Sequence, residues 1–107
     1  MTIIQRGQLI RDDSNYPVGW RYSHITDTTT TVIKEGPAII HSVIIGSPTQ
    51  NAVITIYDGV DDSGEVVAVM TTAANILPRS VLINISLEVG LTVVTTTASQ
   101  DITITYV

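Results

Sequence analysis

Apolar and polar positions alternate with a period of two over most of this chain. The clearest run is Val81-Leu82-Ile83-Asn84-Ile85-Ser86-Leu87-Glu88, apolar at every odd position and polar at three of its four even ones. That is the pattern of a strand with one face on a core and the other in water. The run Ala38-Ile39-Ile40-His41-Ser42-Val43-Ile44-Ile45 differs in being apolar on both faces. Strict alternation puts Ile39, His41, Val43 and Ile45 on one side and Ile40 and Ile44 on the other. A sandwich strand needs only one apolar face, so the second is expected to be covered, either by a loop or arm of the same chain or by another subunit. Ile39, His41, Val43 and Ile45 are therefore candidate self-association residues.

Read in the same way, residues 20–25, 28–33, 38–45, 52–58, 65–70, 81–87, 91–95 and 102–107 are predicted strands. Between them Gly36-Pro37, Gly46-Ser47-Pro48, Asp58-Gly59, Ser63-Gly64 and Gly90 supply the positive or fixed φ that tight turns need. Residues 71–76 have the makings of one short helical turn. The predicted fold is all-β, an antiparallel two-sheet sandwich of about eight short strands, jelly-roll-like. The last period-2 run reaches Val107, so the domain is expected to close on that strand. Residues 1–17 are polar and rich in chain breakers, with Ile3, Ile4, Leu9 and Ile10 as isolated apolar pairs. This segment is predicted to be an N-terminal arm, either disordered or ordered by lying across a partner, and residues 18–107 the β-sandwich domain.

Composition agrees with that reading and removes several functions. Ile, Val and Thr make up about two-fifths of the 107 residues, a strong β bias. Phe is absent, so Ile and Val must fill a single modest core. Without cysteine there are no disulfides, thiolate metal sites or cysteine nucleophile. Net charge is −5, and the five cations Arg6, Arg11, Arg21, Lys34 and Arg79 are scattered. Nucleic acid, which needs a phosphate-neutralising patch, is thus not an expected partner. No apolar run approaches the roughly 18 to 20 residues of a membrane span, and no secretory signal layout is seen, so a soluble product used as synthesised is expected.

Candidate chemistry is thin. The densest charge cluster, Asp58-Gly59-Val60-Asp61-Asp62-Ser63-Gly64-Glu65, fails the EF-hand order because Val60 stands where a calcium ligand belongs. A solvated hairpin turn is the expectation there. His24 and His41, the only histidines, lack the spacing of metal motifs. Neither a G-x-S-x-G elbow nor a phosphate-binding glycine loop is present, so no catalytic residue, metal or cofactor is assigned and the chain is read as non-enzymatic. The Thr-rich stretches read as solvated strand faces. Trp20 and Tyr22, near Tyr16, either plug the end of the sandwich and fasten the arm or contact a ligand.

Two stretches carry a family resemblance. Ala52-Val53-Ile54-Thr55-Ile56-Tyr57-Asp58-Gly59 resembles the "tItIYDg" block of small β-sandwich virion proteins of tailed bacteriophages. Val89-Gly90-Leu91-Thr92-Val93-Val94-Thr95-Thr96-Thr97 followed by Ile102-Thr103-Ile104-Thr105-Tyr106 is similar to their closing block. The phrase Asp12-Asp13-Ser14-Asn15-Tyr16-Pro17-Val18 is also similar to phage structural proteins, with Tyr16 in place of the usual glycine. The resemblance spans most of residues 20–107 and implies a virion structural protein: a capsid decoration (cement) protein, a head fibre or spike, or a tail-associated module. It implies a position on the capsid exterior after synthesis in the host cytoplasm, with the major capsid protein as partner and a homo-oligomer, a trimer being favoured. Ile3, Ile4, Leu9, Ile10 and Arg11 are then the expected capsid contacts. The alternative is a host-surface carbohydrate or receptor binding module, with Trp20 and Tyr22 as ligand contacts.

Overall fold

The structure, a computed structural model, describes residues 10–11, 17–47, 51–72 and 78–107. A short hairpin pairs β1 (Ile10–Arg11) with β2 (Pro17–Val18). Eight further strands follow: β3 (Arg21–Ile25), β4 (Thr30–Glu35), β5 (Ala38–Ser47), β6 (Val53–Asp58), β7 (Glu65–Thr71), β8 (Arg79–Leu87), β9 (Gly90–Thr96) and β10 (Asp101–Tyr106). These are the eight predicted strands, with ends displaced by no more than two residues. The turn predicted over 71–76 falls largely outside the described residues, and Thr71 itself ends β7.

Two antiparallel four-stranded sheets are built from these strands, in the orders β3-β10-β5-β8 and β4-β9-β6-β7. The pairs β3·β10, β4·β9, β5·β8 and β6·β7 are nested, as though one long hairpin with its tip between β6 and β7 had been wrapped into two layers. That wrapping is the jelly-roll topology, and it confirms the predicted fold class. Among the described residues thirteen apolar side chains are buried, including Ile40, Val43, Ile54, Ile56, Leu91, Val93, Ile102 and Ile104 at 0 % exposure. Branched aliphatic residues thus fill the space between the sheets without any phenylalanine, as stiff side chains on a pleated surface can.

The face assignment in β5 is corrected by a β-bulge. The core residues of this strand are Ala38, Ile40, Val43 and Ile45, two period-2 pairs joined by a step of three. Pairing with both neighbours slips at that step: Thr105–Tyr106 of β10 stands opposite Ser42 and Ile40, and Leu82 and Ile85 of β8 stand opposite the same two residues. An extra residue in a strand reverses the alternation beyond it. Ile40 therefore joins Val43 and Ile45 inside, while Ile39 and Ile44 are left outside at 41 % and 39 % exposure. On β8 the irregularity includes Asn84 at φ 57°, a left-handed conformation that asparagine tolerates better than most residues. Val81, Ile83 and Leu87 pack on the core as their odd positions predict, whereas Ile85 on this edge strand is 37 % exposed.

One end of the sandwich is closed by backbone lying on backbone. A Cβ on Gly64 would meet the Asp58 carbonyl oxygen at 2.7 Å and Gly59 Cα at 2.9 Å. A Cβ on Gly90 would meet the carbonyl oxygens of Gly59 and Lys34, each at 2.8 Å. Glycine is needed here for close approach. Gly64→Ala should accordingly cost about 1–3 kcal/mol in urea unfolding, the usual penalty of overpacking. Gly19→Ala, with nothing within 4 Å of the new carbon, should be close to neutral.

Candidate functional site

The outward side of the β3-β10-β5-β8 sheet gathers Trp20, Tyr22 and both histidines. Trp20, Tyr22 and His24 alternate along the entry to β3 and β3 itself, with Tyr22 opposite Thr105 and His24 opposite Thr103 on β10. The bulge turns both His41 and Ser42 toward one residue of the neighbouring strand: His41 Nδ1 lies 3.1 Å and Ser42 Oγ 2.6 Å from Thr105 Oγ1. Trp20 lies over His41, ring centroids 4.2 Å apart and planes inclined by 16°. The indole is nevertheless 48 % exposed and Tyr22 73 %. Both aromatics are thus exposed at and beside the start of β3, while Tyr16 and most of the arm they were expected to fasten lie outside the described residues. Ile44 and Leu82, 39 % and 66 % exposed, continue the face as an apolar flank.

His24 Nε2 approaches Asp101 Oδ1 at 2.7 Å, both side chains about half exposed. A serine-type relay needs nucleophile, imidazole and carboxylate in one chain of contacts. Here the carboxylate engages His24, while His41 engages the Thr105 hydroxyl, which in turn contacts that of Ser42. Among the described residues no three His, Asp or Glu side chains group as a metal site. Two surface hollows among the described residues are shallow and open. One, of about 360 Å³, is lined by Thr28–Thr30 and residues 94–97; the other, of about 300 Å³, lies between Lys34, Ile39, Ser86 and Val107.

Two carboxylates of the acidic loop accept backbone hydrogen bonds, Asp58 from the β8–β9 turn and Asp61 from within the loop. Asp58 Oδ1 accepts from the N–H of Val89 at 2.8 Å and of Gly90 at 3.3 Å, and Oδ2 from that of Glu88 at 3.1 Å. Asp61 Oδ1 accepts from the Ser63 N–H and hydroxyl at 2.9 and 2.5 Å. Donation to the ionised form by Val89 first, then Glu88 and Gly90, holds the Asp58 carboxyl below its ordinary range, and the Ser63 donors do the same for Asp61. Asp58 is thus the tie between the tip of the β6–β7 hairpin and the β8–β9 turn.

In the Thr-rich stretches Thr28, Thr29, Thr30, Thr96 and Thr97 are exposed as expected, but two threonines of β9 are buried. Thr92 and Thr95 are 0 % and 3 % exposed. Their hydroxyls donate to the carbonyls of Gly59 at 2.8 Å and Asp27 at 2.5 Å respectively, and Thr95 Oγ1 also accepts from the Thr29 N–H at 3.0 Å. A small branched hydroxyl side chain can be buried when a loop carbonyl satisfies it.

The four residues predicted as a self-association face do not form one surface. Val43 and Ile45 are 0 % and 1 % exposed in the chain's own core, for the bulge has turned them inward. Ile39 is exposed, and His41 is half-buried beside Trp20. The exposed apolar set on the opposite sheet was missed. There Val32, Thr92, Tyr57 and Val66 form one cross-strand row, and Thr30, Val94, Thr55 and Val69 the next. Val32, Val66 and Val69 are 43 %, 52 % and 58 % exposed, and neither row holds a charge. The run Glu65-Val66-Val67-Ala68-Val69-Met70, apolar on both faces, carried the same signal that was read in β5. Of the predicted capsid contacts, Ile3, Ile4 and Leu9 lie outside the described residues, and Ile10 and Arg11 are described only as backbone in β1.

Comparison with protein-family models, with curated proteins and with solved structures finds no match.

Asp58 yields a pH prediction. Because its folded-state pKa is depressed, its contribution to stability is complete above the unfolded value and is lost as pH falls through the lower folded one. The melting temperature should therefore drop in the acid range below the ordinary 3.8. Asp58→Asn should lower the melting temperature at neutral pH and flatten that acid limb, as followed by circular dichroism across pH.

Proposed function

We propose that this chain is a non-enzymatic structural subunit of a phage virion, a capsid decoration protein that binds the outer head surface and stabilises it. The observation that carries this reading is the distribution of charge. Six of the ten acidic residues, Glu35, Asp58, Asp61, Asp62, Glu65 and Glu88, lie at the end of the sandwich formed by the β4–β5, β6–β7 and β8–β9 turns. The two central rows across the outer face of β4-β9-β6-β7 are Val, Thr and Tyr alone. Copies of a chain with net charge −5 repel one another. A face free of charge with protruding valines is where such copies meet at least cost, since interface centres are depleted of charge. The phage-like motifs support the same reading. Ala52–Gly59 forms β6 and the start of the hairpin tip, and Val89–Tyr106 forms β9 and β10, so both blocks belong to the wrapped core of the fold.

In this reading the valine face joins the copies of a homotrimer, and the N-terminal segment, with Ile3, Ile4, Leu9, Ile10 and Arg11, lies on the major capsid protein. The protein resides on the capsid exterior.

Two measurements test it. Light-scattering mass in solution should correspond to three copies of the 11.5 kDa chain, and Val69→Asp should reduce it to one while circular dichroism stays that of a folded sheet protein. A monomeric parent chain refutes the self-association face. Replacing Ile3, Ile4 and Leu9 by serine should leave the melting temperature unchanged and abolish binding to purified heads stripped of this protein; unchanged occupancy refutes the arm as the capsid contact.

A further inference from the structure

We propose that the outer face of the β3-β10-β5-β8 sheet is a glycan-binding platform, on which the open side of the Trp20 indole stacks against the apolar face of a neutral pyranose ring. Near-parallel stacking on His41, at 4.2 Å and 16°, covers one side of the indole and turns the other away from the imidazole. An indole that anchors a protein interface is most effective when driven into a desolvated pocket. This one is backed by an imidazole and is 48 % exposed, which suits a flat-faced ligand whose C–H bonds meet a π surface.

The platform is held ready before any ligand arrives. His41 is fixed through Nδ1 by Thr105, and Thr105 in turn by Ser42, at 3.1 and 2.6 Å. Both contacts exist because the bulge puts residues 41 and 42 opposite one residue of β10. A surface organised in advance loses less freedom on binding. Tyr22, 73 % exposed and on the same side of β3, offers a second ring. His24 with Asp101, 2.7 Å apart, and Thr103 beside His24 supply the donors and acceptors that sugar hydroxyls require.

Charge selects among flat ligands. Nucleobases also stack on tryptophan, but their binding sites run along basic grooves. This chain has five Lys and Arg against ten Asp and Glu. Of its cations on this sheet, Arg21 opens β3 and Arg79 opens β8, one at each edge strand. A nucleic acid or an acidic sugar therefore meets single cations at the sheet edges and no basic groove, and a neutral sugar needs neither. This inference stands apart from assembly on a capsid and fails or holds separately from it.

Because Trp20 is the single tryptophan, intrinsic emission of the full chain reports on the platform directly. Titration with cellohexaose, maltohexaose and chitohexaose up to about 10 mM, a range that covers weak millimolar sites, should give a saturable change with at least one of them. By calorimetry Trp20→Ala should abolish that binding and Tyr22→Ala weaken it about tenfold, with melting temperatures within error of the parent. Tyr22→Ala carries the test alone if Trp20→Ala fails to fold. His41→Ala should weaken binding severalfold while leaving the sheet intact. The proposal is overturned if none of the neutral hexasaccharides produces a saturable change, if binding survives in Trp20→Ala, or if hexagalacturonate or a thymidine hexanucleotide binds more tightly than the neutral sugars.

Discussion

In a two-layer sandwich a strand packs one face against the other sheet, and in β5 the choice is made by a single extra residue. The slip at His41 and Ser42 lets Ala38 and Ile40 point inward before it and Val43 and Ile45 after it. Without the slip, half of those side chains would face water and the sandwich would lose the middle of its core. The same slip places two side chains against Thr105 and raises the imidazole on which Trp20 rests. Core packing and the exposed aromatic surface are thus two consequences of one irregularity.

The nested pairing explains the rest of the architecture. Each strand after β3 changes sheet except at the β6–β7 hairpin, so the loops collect at the two ends and the sheet faces are left to strand residues alone. Charged side chains serve the turns, and the turn end nearest the hairpin tip becomes acidic. Asp58 shows how local that use is: its carboxylate satisfies three backbone N–H groups of the neighbouring turn, a satisfaction of donors more than a binding site. Gly59, Gly64 and Gly90 complete the same end by letting backbone touch backbone.

With charge moved to the ends, the two outer faces differ in kind. One presents rows of Val, Thr and Tyr suited to contact with a like surface. The other presents ring faces together with hydroxyl and imidazole groups suited to a small polar ligand with a flat apolar side. In the proposed role as a virion subunit, one would turn toward its own copies and the other outward. Their chemistry differs enough that each role stands or falls on its own.

Strand positions and turn positions were legible in the sequence because they depend on local periodicity and on glycine and proline. Only the tertiary structure decided which face of β5 is the core face, since a bulge is a relation between strands and leaves no mark in the alternation of one strand. For that reason Val43 and Ile45, read as surface, proved to be interior, while Val66 and Val69 proved to be surface. The partnership of Trp20 with His41 lay beyond sequence reading as well. It joins residues 21 positions apart across an intervening strand, and only the wrapping of β10 between β3 and β5 brings them into register.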